Sequence, residues 1–132
     1  MLVEPLTYMN RSGEVFPSLV GKYEPVGGSL VVVCDNLDLP PGRLKLKRGG
    51  GTAGHKGLSS IVSVLESGDF LRLYVGIGRP SDGDVVAHVL GVPDEGEAEL
   101  YREAVARGAQ AVRALTDTAP EQVMNELNRK EA

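Results

Sequence analysis

An α/β fold with a mixed, mostly parallel sheet flanked by helices is what the amino-acid sequence predicts, and three observations predict it. LVVVC at 30–34 is a continuous apolar run rich in β-branched residues, the mark of a strand buried on both faces of a mostly parallel sheet. RLKLKR at 43–48 alternates instead, with Arg43, Lys45 and Lys47 on one face and Leu44 and Leu46 on the other. Such a strand is half solvated or faces a polar ligand. Helical periodicity then alternates with these strand patterns, which is the order of an α/β domain.

Each element has its own justification. Ser12 and Gly13 can open a helix towards Tyr23, with Pro17 bending it or sitting near its first turn. FLRLYVGIG at 70–78 reads as a third strand ending at Gly76 and Gly78, and residues 57–66 place Leu58, Ile61, Val62 and Leu65 at helical spacing. Residues 95–115 give the longest amphipathic helix, with Leu100, Ala104, Val105, Val112 and Leu115 as its interior stripe. Gly108 lies on that stripe, where it weakens the helix but admits a close neighbour. A last helix starts at a Thr118–Glu121 capping box, with Pro120 in the first turn and Val123 and Leu127 as its apolar face. These elements form a single domain over 1–132. Because MLVEPL is already strand-like and three or four short strands give the helices little to cover, either the sheet is small or further strands lie upstream.

Composition narrows the function classes. The chain has 42% hydrophobic residues and one cysteine, Cys34, so it is a globular chain without an internal disulfide. It has no apolar run of membrane-spanning length and no signal-type start, which places it in a reducing cytoplasm. A net charge of −4 argues against non-specific coating of nucleic acid. The charges are nonetheless segregated, with Arg43, Lys45, Lys47, Arg48 and Lys56 close together and Glu95, Glu97, Glu99 and Glu103 further on, so a local basic site survives an acidic total.

The stretch KRGGGTAGHKGL at 47–58 combines a dense glycine loop with a helix start, a place where backbone N–H groups can meet an anion. Gly49, Gly51 and Gly54 spell G-x-G-x-x-G, but the strand before them is RLKLKR and not the buried apolar strand of a dinucleotide fold. The phosphate-loop pattern also fails, since His55 stands where lysine is needed and Lys56 where a hydroxyl is needed. DNLDLPPG at 35–42 follows a strand at its carboxyl end, where open α/β sheets bind ligands. Its Asp35 and Asp38 can hold a metal or orient a histidine, or can be the solvated acids of a Pro-Pro-Gly turn. His55 suits a helix cap, His88 a packed position and Cys34 an inert apolar one. No zinc-type spacing occurs. Tyr8 and Asn10 of TYMN put an aromatic and an amide between a strand end and a helix, where Asn binds a peptide group or caps the helix.

Taken together and in order, EPLTYMNRSGE, VVVCDNLDLPPGRLKLKRGGGTAGHKGLSSI, FLRLYVGIGRP and HVLG resemble the bacterial peptidyl-tRNA hydrolase family over about residues 1–128. The resemblance implies a cofactor- and metal-free hydrolase that cleaves the ester between peptide and tRNA, recycling tRNA from stalled translation. It implies that Asn10 contacts substrate near the ester with Tyr8 beside it, that Asp35 orients and polarises a catalytic histidine, and that Lys45 and Lys47 face tRNA. Lys56 stands where the family has a substrate-binding asparagine. Cys34 and Asn36 replace a histidine and an acid that commonly flank the aspartate, and Tyr74 stands where a basic residue is frequent. His55 matches a family histidine that is not the general base.

The family's opening strand, with its glycine turn and its catalytic histidine in a T-R-H-N-type stretch, has no counterpart in these residues. The expectation is therefore an N-terminally truncated hydrolase domain without the first strand and helix. It would be monomeric when complete, and inactive and self-associating as residues 1–132 alone. The alternative is a catalytically inactive tRNA- or RNA-binding relative.

Overall fold

The computed structural model describes residues 2–23 and 30–132. A 3₁₀ segment, Met9–Val15, leads into α1 (Phe16–Tyr23), followed by β1 (Val31–Asn36), β2 (Leu44–Arg48), α2 (Lys56–Leu65), β3 (Leu71–Gly76), α3 (Val85–Leu90), α4 (Glu95–Ala114) and α5 (Pro120–Glu131). The residues group into two compact units, Met1–Val32 with Arg48–Leu71 and Val33–Lys47 with Arg72–Ala132.

In the first unit the 3₁₀ segment packs on α2. The Gly13 N–H donates to Ser60 Oγ at 2.9 Å, and a Cβ at Gly13 would overlap the Ser60 carbonyl, so only glycine permits this approach. Ser12 Oγ donates to the Met9 carbonyl at 2.7 Å, closing the 3₁₀ turn from inside. Phe16, Leu58, Ile61 and Phe70 are buried, and Pro17 occupies the second position of α1, where its missing N–H costs no helical bond.

The sheet has the order β1-β3-β2. Leu71 N–H donates to the Leu30 carbonyl at 3.1 Å and Ile77 N–H to the Asn36 carbonyl at 3.0 Å, a constant offset that makes β1 and β3 parallel. Gly49 N–H meets the Phe70 carbonyl at 2.9 Å and Gly76 N–H the Arg43 carbonyl at 2.7 Å, so β2 runs antiparallel to β3. The alternation read in RLKLKR holds, with Leu44 and Leu46 buried and Lys45 and Lys47 exposed. β1 departs from expectation. Among the described residues it is an edge strand, and Val33 is 57% exposed, so within those residues the apolar run is not covered on both faces.

The helices of the second unit also correct the sequence reading. The buried stripe of α4 is Ala104, Gly108 and Ala111, while Leu100 and Val105 are exposed. Small residues win because α4 lies close to the sheet: a Cβ at Gly108 would stand 3.4 Å from Leu73 Cδ2. The expected capping box of α5 is not formed. Ala119 is the N-cap with no side-chain bond, Pro120 starts the helix, and Thr118 Oγ1 donates to Asp117 instead.

Because β2 is the other edge strand, its outward N–H and C=O groups need partners, and α5 supplies them. Leu46 N–H donates to Asn128 Oδ1 at 3.0 Å, Asn128 Nδ2 donates to the Leu46 carbonyl at 2.9 Å, and Leu44 N–H donates to Glu131 Oε2 at 3.2 Å. One asparagine thus stands in for a neighbouring strand residue. Asn128→Ala should leave the donor and acceptor of a buried residue unsatisfied and cost about 2 kcal/mol. Urea unfolding should show a lower midpoint with unchanged slope; an unchanged midpoint would contradict this account of the edge.

Candidate functional site

The turn at the carboxyl end of the sheet, in the second unit, is built by local chemistry. Pro40, Pro41, Gly42 and Arg43 form a type II turn: Arg43 N–H donates to the Pro40 carbonyl at 3.1 Å, and Gly42 has φ +81°, the conformation that turn demands at its third position. Gly42 N–H then meets the Gly76 carbonyl at 2.9 Å. A Cβ on Gly76 would overlap the Pro40 carbonyl. Before the turn, Asn36 Oδ1 accepts from Asp38 N–H at 2.7 Å. Asp38 Oδ1 in turn accepts from Arg79 Nη2 at 2.6 Å and Nε at 3.0 Å, a clasp that spacing in the sequence does not reveal. A forked Arg partner commits Asp38 to the turn, and among the described residues no group of three or more His, Cys, Asp or Glu side chains could hold a metal.

Asp35 is half-buried, one residue before the end of β1. Lys45 and Lys47 are exposed on one face of β2, with Arg43 two residues before Lys45. Beside Asp35, burial is the main force pushing the Cys34 thiol up to about 12, with Asp35 adding to the rise and Arg72 opposing it. His88 is half-buried, its Nε2 lying 2.7 Å from the Ile77 carbonyl and 3.0 Å from the Gly78 carbonyl. Two carbonyl acceptors require a proton on that nitrogen, so the ring ties α3 to the loop after β3.

In the first unit, Tyr8 is 79% exposed at the start of the 3₁₀ segment, and its carbonyl accepts from Arg11 N–H at 2.9 Å. Asn10 is exposed. Gly57 is where this segment meets α2, since a Cβ there would lie 2.7 Å from Met9 Sδ. The structure thereby brings TYMN beside the His55–Gly57 start of α2, with Lys56 exposed at its first position. His55 is the N-cap, its Nδ1 accepting from Leu58 N–H at 3.1 Å, in keeping with its place before a periodic run. The glycine loop owes its composition to backbone conformation: Gly49, Gly50 and Gly54 all have positive φ, which other residues adopt at a cost.

Residues 1–132 match the sequence profile of the family described as "Peptidyl-tRNA hydrolase". The chain belongs to that family. It is 40% identical over 128 residues to the peptidyl-tRNA hydrolase of Caldanaerobacter subterraneus, covering 97% of this chain and 69% of the relative. It is 43% identical over 131 residues to that of Bacillus licheniformis, covering 98% and 70%. The crystal structure of peptidyl-tRNA hydrolase from Acinetobacter baumannii is similar with a TM-score of 0.85 at 38% identity, covering 94% of this chain and 63% of that one. A complex of peptidyl-tRNA hydrolase with N-propanol gives the same TM-score, 0.85, at 37% identity over 94% of this chain and 63% of the other. The chain therefore spans less than two thirds of the length of those solved relatives. The family match agrees with the resemblance read from the ordered motifs, and the solved relatives share the α/β fold. Among the described residues no helix is long and apolar enough to cross a membrane.

The surroundings of Cys34 have a measurable result. With its thiol pushed from 9.0 to about 12, Cys34 should stay protonated in the folded chain at pH 9, and iodoacetamide should alkylate it far more slowly than in urea. The native state then holds a proton that the unfolded chain releases, so stability should fall as the pH rises from about 9 to 12. Equal alkylation rates in the folded and unfolded chains would contradict this account of the half-buried thiol.

Proposed function

We propose that this chain acts as a cytoplasmic, cofactor-free peptidyl-tRNA hydrolase, cleaving the ester that joins a stalled peptide to the 3′ ribose of its tRNA. The observation that carries the reading is the exposed Lys45 and Lys47 face of β2 in a chain of a family whose relatives are named for this activity. In this reading Asn10 binds near the ester with Tyr8 beside it, Lys56 contacts a phosphate or carbonyl as a donor, and Lys45 and Lys47 neutralise tRNA phosphates. Asp35 holds a histidine in the tautomer that takes a proton from the attacking water.

That histidine is neither of the two in residues 1–132. His55 uses Nδ1 to accept from Leu58 N–H, and His88 is held through Nε2 against two carbonyls. The reading therefore includes a further histidine, in the T-R-H-N-type stretch that the resemblance implies. It also includes a monomer when that stretch is present, and self-association of residues 1–132 alone through the β1 edge. The second reading, an RNA-binding relative without chemistry, draws on the same commitment of His55 and His88.

Single-turnover release of peptide from a short N-acyl-aminoacyl-tRNA separates the two. Residues 1–132 alone should be nearly inactive, and fusion to a family-type N-terminal segment should restore cleavage. Asp35→Asn in the fusion should slow cleavage by on the order of a hundredfold or more with little change in tRNA affinity. An inactive fusion that still binds tRNA would favour the binding-only relative, and turnover by residues 1–132 that His55→Ala abolishes would make His55 the base. In the same preparations, Lys45→Ala should reduce the steepness of the salt dependence of tRNA binding by about one unit; an unaltered slope would remove Lys45 from the RNA interface.

A further inference from the structure

We infer that the cationic face of β2 continues past Lys45 into a second phosphate site formed by Arg43 and Lys130 around the Arg107–Glu131 pair, which takes a phosphodiester of duplex RNA. This rests on the RNA-binding reading of Lys45 and Lys47 and extends it to side chains from α4 and α5.

A shallow depression in the second unit has Pro41, Arg43, Arg107, Lys130, Glu131 and the last residue, Ala132, in its lining. Its one acidic side chain is already compensated. Glu131 Oε1 accepts from Arg107 Nε at 2.7 Å and Oε2 from Leu44 N–H at 3.2 Å, with the Glu131 side chain only 11% exposed. Arg107 is further fixed by donating from Nη2 to the Gly42 carbonyl at 2.8 Å. The guanidinium is therefore pre-oriented at the depression, and holding it there costs an incoming anion little side-chain entropy. Arg43 and Lys130 are exposed, and among the described residues neither joins an ion pair. An anion entering here meets two cations without an ion-pair partner, Arg43 and Lys130, beside an Arg107–Glu131 pair whose charges offset each other.

The position of the depression selects the anion. Arg43, Lys45 and Lys47 follow one another at two-residue intervals along a strand, about 7 Å apart. Their charges form a line whose end is the depression, and a polyanion lying along Lys47 and Lys45 is carried towards Arg43. Its repeating charges are phosphates, which suit a forked guanidinium. A rim containing Pro41 fixes φ at the turn and keeps Arg43 in place. No side chain lining the depression offers an aromatic platform for a base, so the contact is to the sugar–phosphate backbone and carries no sequence preference.

The test is the salt dependence of binding of deacylated tRNA, and of a short single-stranded RNA ending in CCA, to the chain as it stands. Three proteins are compared: wild type, Lys45→Ala and the double variant Arg43→Gln/Lys130→Gln. Arg107 is left intact because it supports Glu131, and urea midpoints confirm that the double variant folds as the wild type does. For tRNA the double variant should lower the log–log salt slope by one to two units, about 0.9 for each phosphate no longer neutralised, while leaving binding of the short single strand unchanged. A wild-type slope for the double variant on tRNA, with a lowered slope for Lys45→Ala, would overturn the second site and leave the hydrolase reading intact. An equal effect on tRNA and the single strand, or abolished binding of inorganic phosphate with tRNA binding intact, would also overturn it. Salt-insensitive binding of tRNA by the wild type would overturn both readings.

Discussion

The missing side chain of Gly76 is the constraint on which the carboxyl end of the sheet depends. The Pro40 carbonyl occupies the space a Cβ would need, and Leu39 Cβ lies 2.7 Å from that same position. Only with this approach allowed can Gly76 accept from Gly42 N–H and donate to the Arg43 carbonyl, placing two residues of the entering chain opposite one residue of the central strand. That local bulge sets where β2 begins, and with it which residues of RLKLKR face inward. A one-residue slip would turn Lys45 and Lys47 into the core and expose Leu44 and Leu46. The cationic face is therefore a consequence of a steric allowance on the neighbouring strand.

How much of the fold is legible in the sequence depends on whether the determinants are local. Alternation in RLKLKR reads directly as a two-faced strand, and the Pro-Pro-Gly turn, the His55 cap and the place of Pro17 follow from conformational preferences of a few adjacent residues. The place of LVVVC in the sheet is not set by composition, which does not tell a central strand from an edge strand; among the described residues the order β1-β3-β2 leaves it at an edge. The stripe of α4 is legible in part: Ala104 and Gly108 are buried on it as expected, while Leu100 and Val105 are exposed. Hydrophobic periodicity favours the large residues Leu100 and Val105, whereas a helix drawn close to a sheet buries its small ones, Ala104, Gly108 and Ala111.

The candidate site divides in the same way. Asp35, Tyr8, Asn10, Lys45, Lys47 and Lys56 are singled out by ordered motifs resembling a family, and the match over 1–132 bears out that family. What pattern does not supply is the disposition of individual atoms: Arg79 closing on Asp38, or His88 meeting two carbonyls. These partners lie far apart in sequence or depend on loop paths that only the folded chain defines. In the folded chain His55 Nδ1 and His88 Nε2 each have a named neighbour.

The asparagine that completes the edge of β2 also sets an order of events during synthesis. Leu46 and Asn128 are 82 positions apart, so a ribosome adding about 5–20 residues per second needs roughly 4–16 s to make the second after the first. Throughout that interval the nascent β2 has its outer ladder uncovered. Its charged side chains, the alternating lysines among them, are then the defence the strand itself carries, since they discourage pairing with a neighbouring nascent chain. The same lysines thus protect the chain before α5 exists.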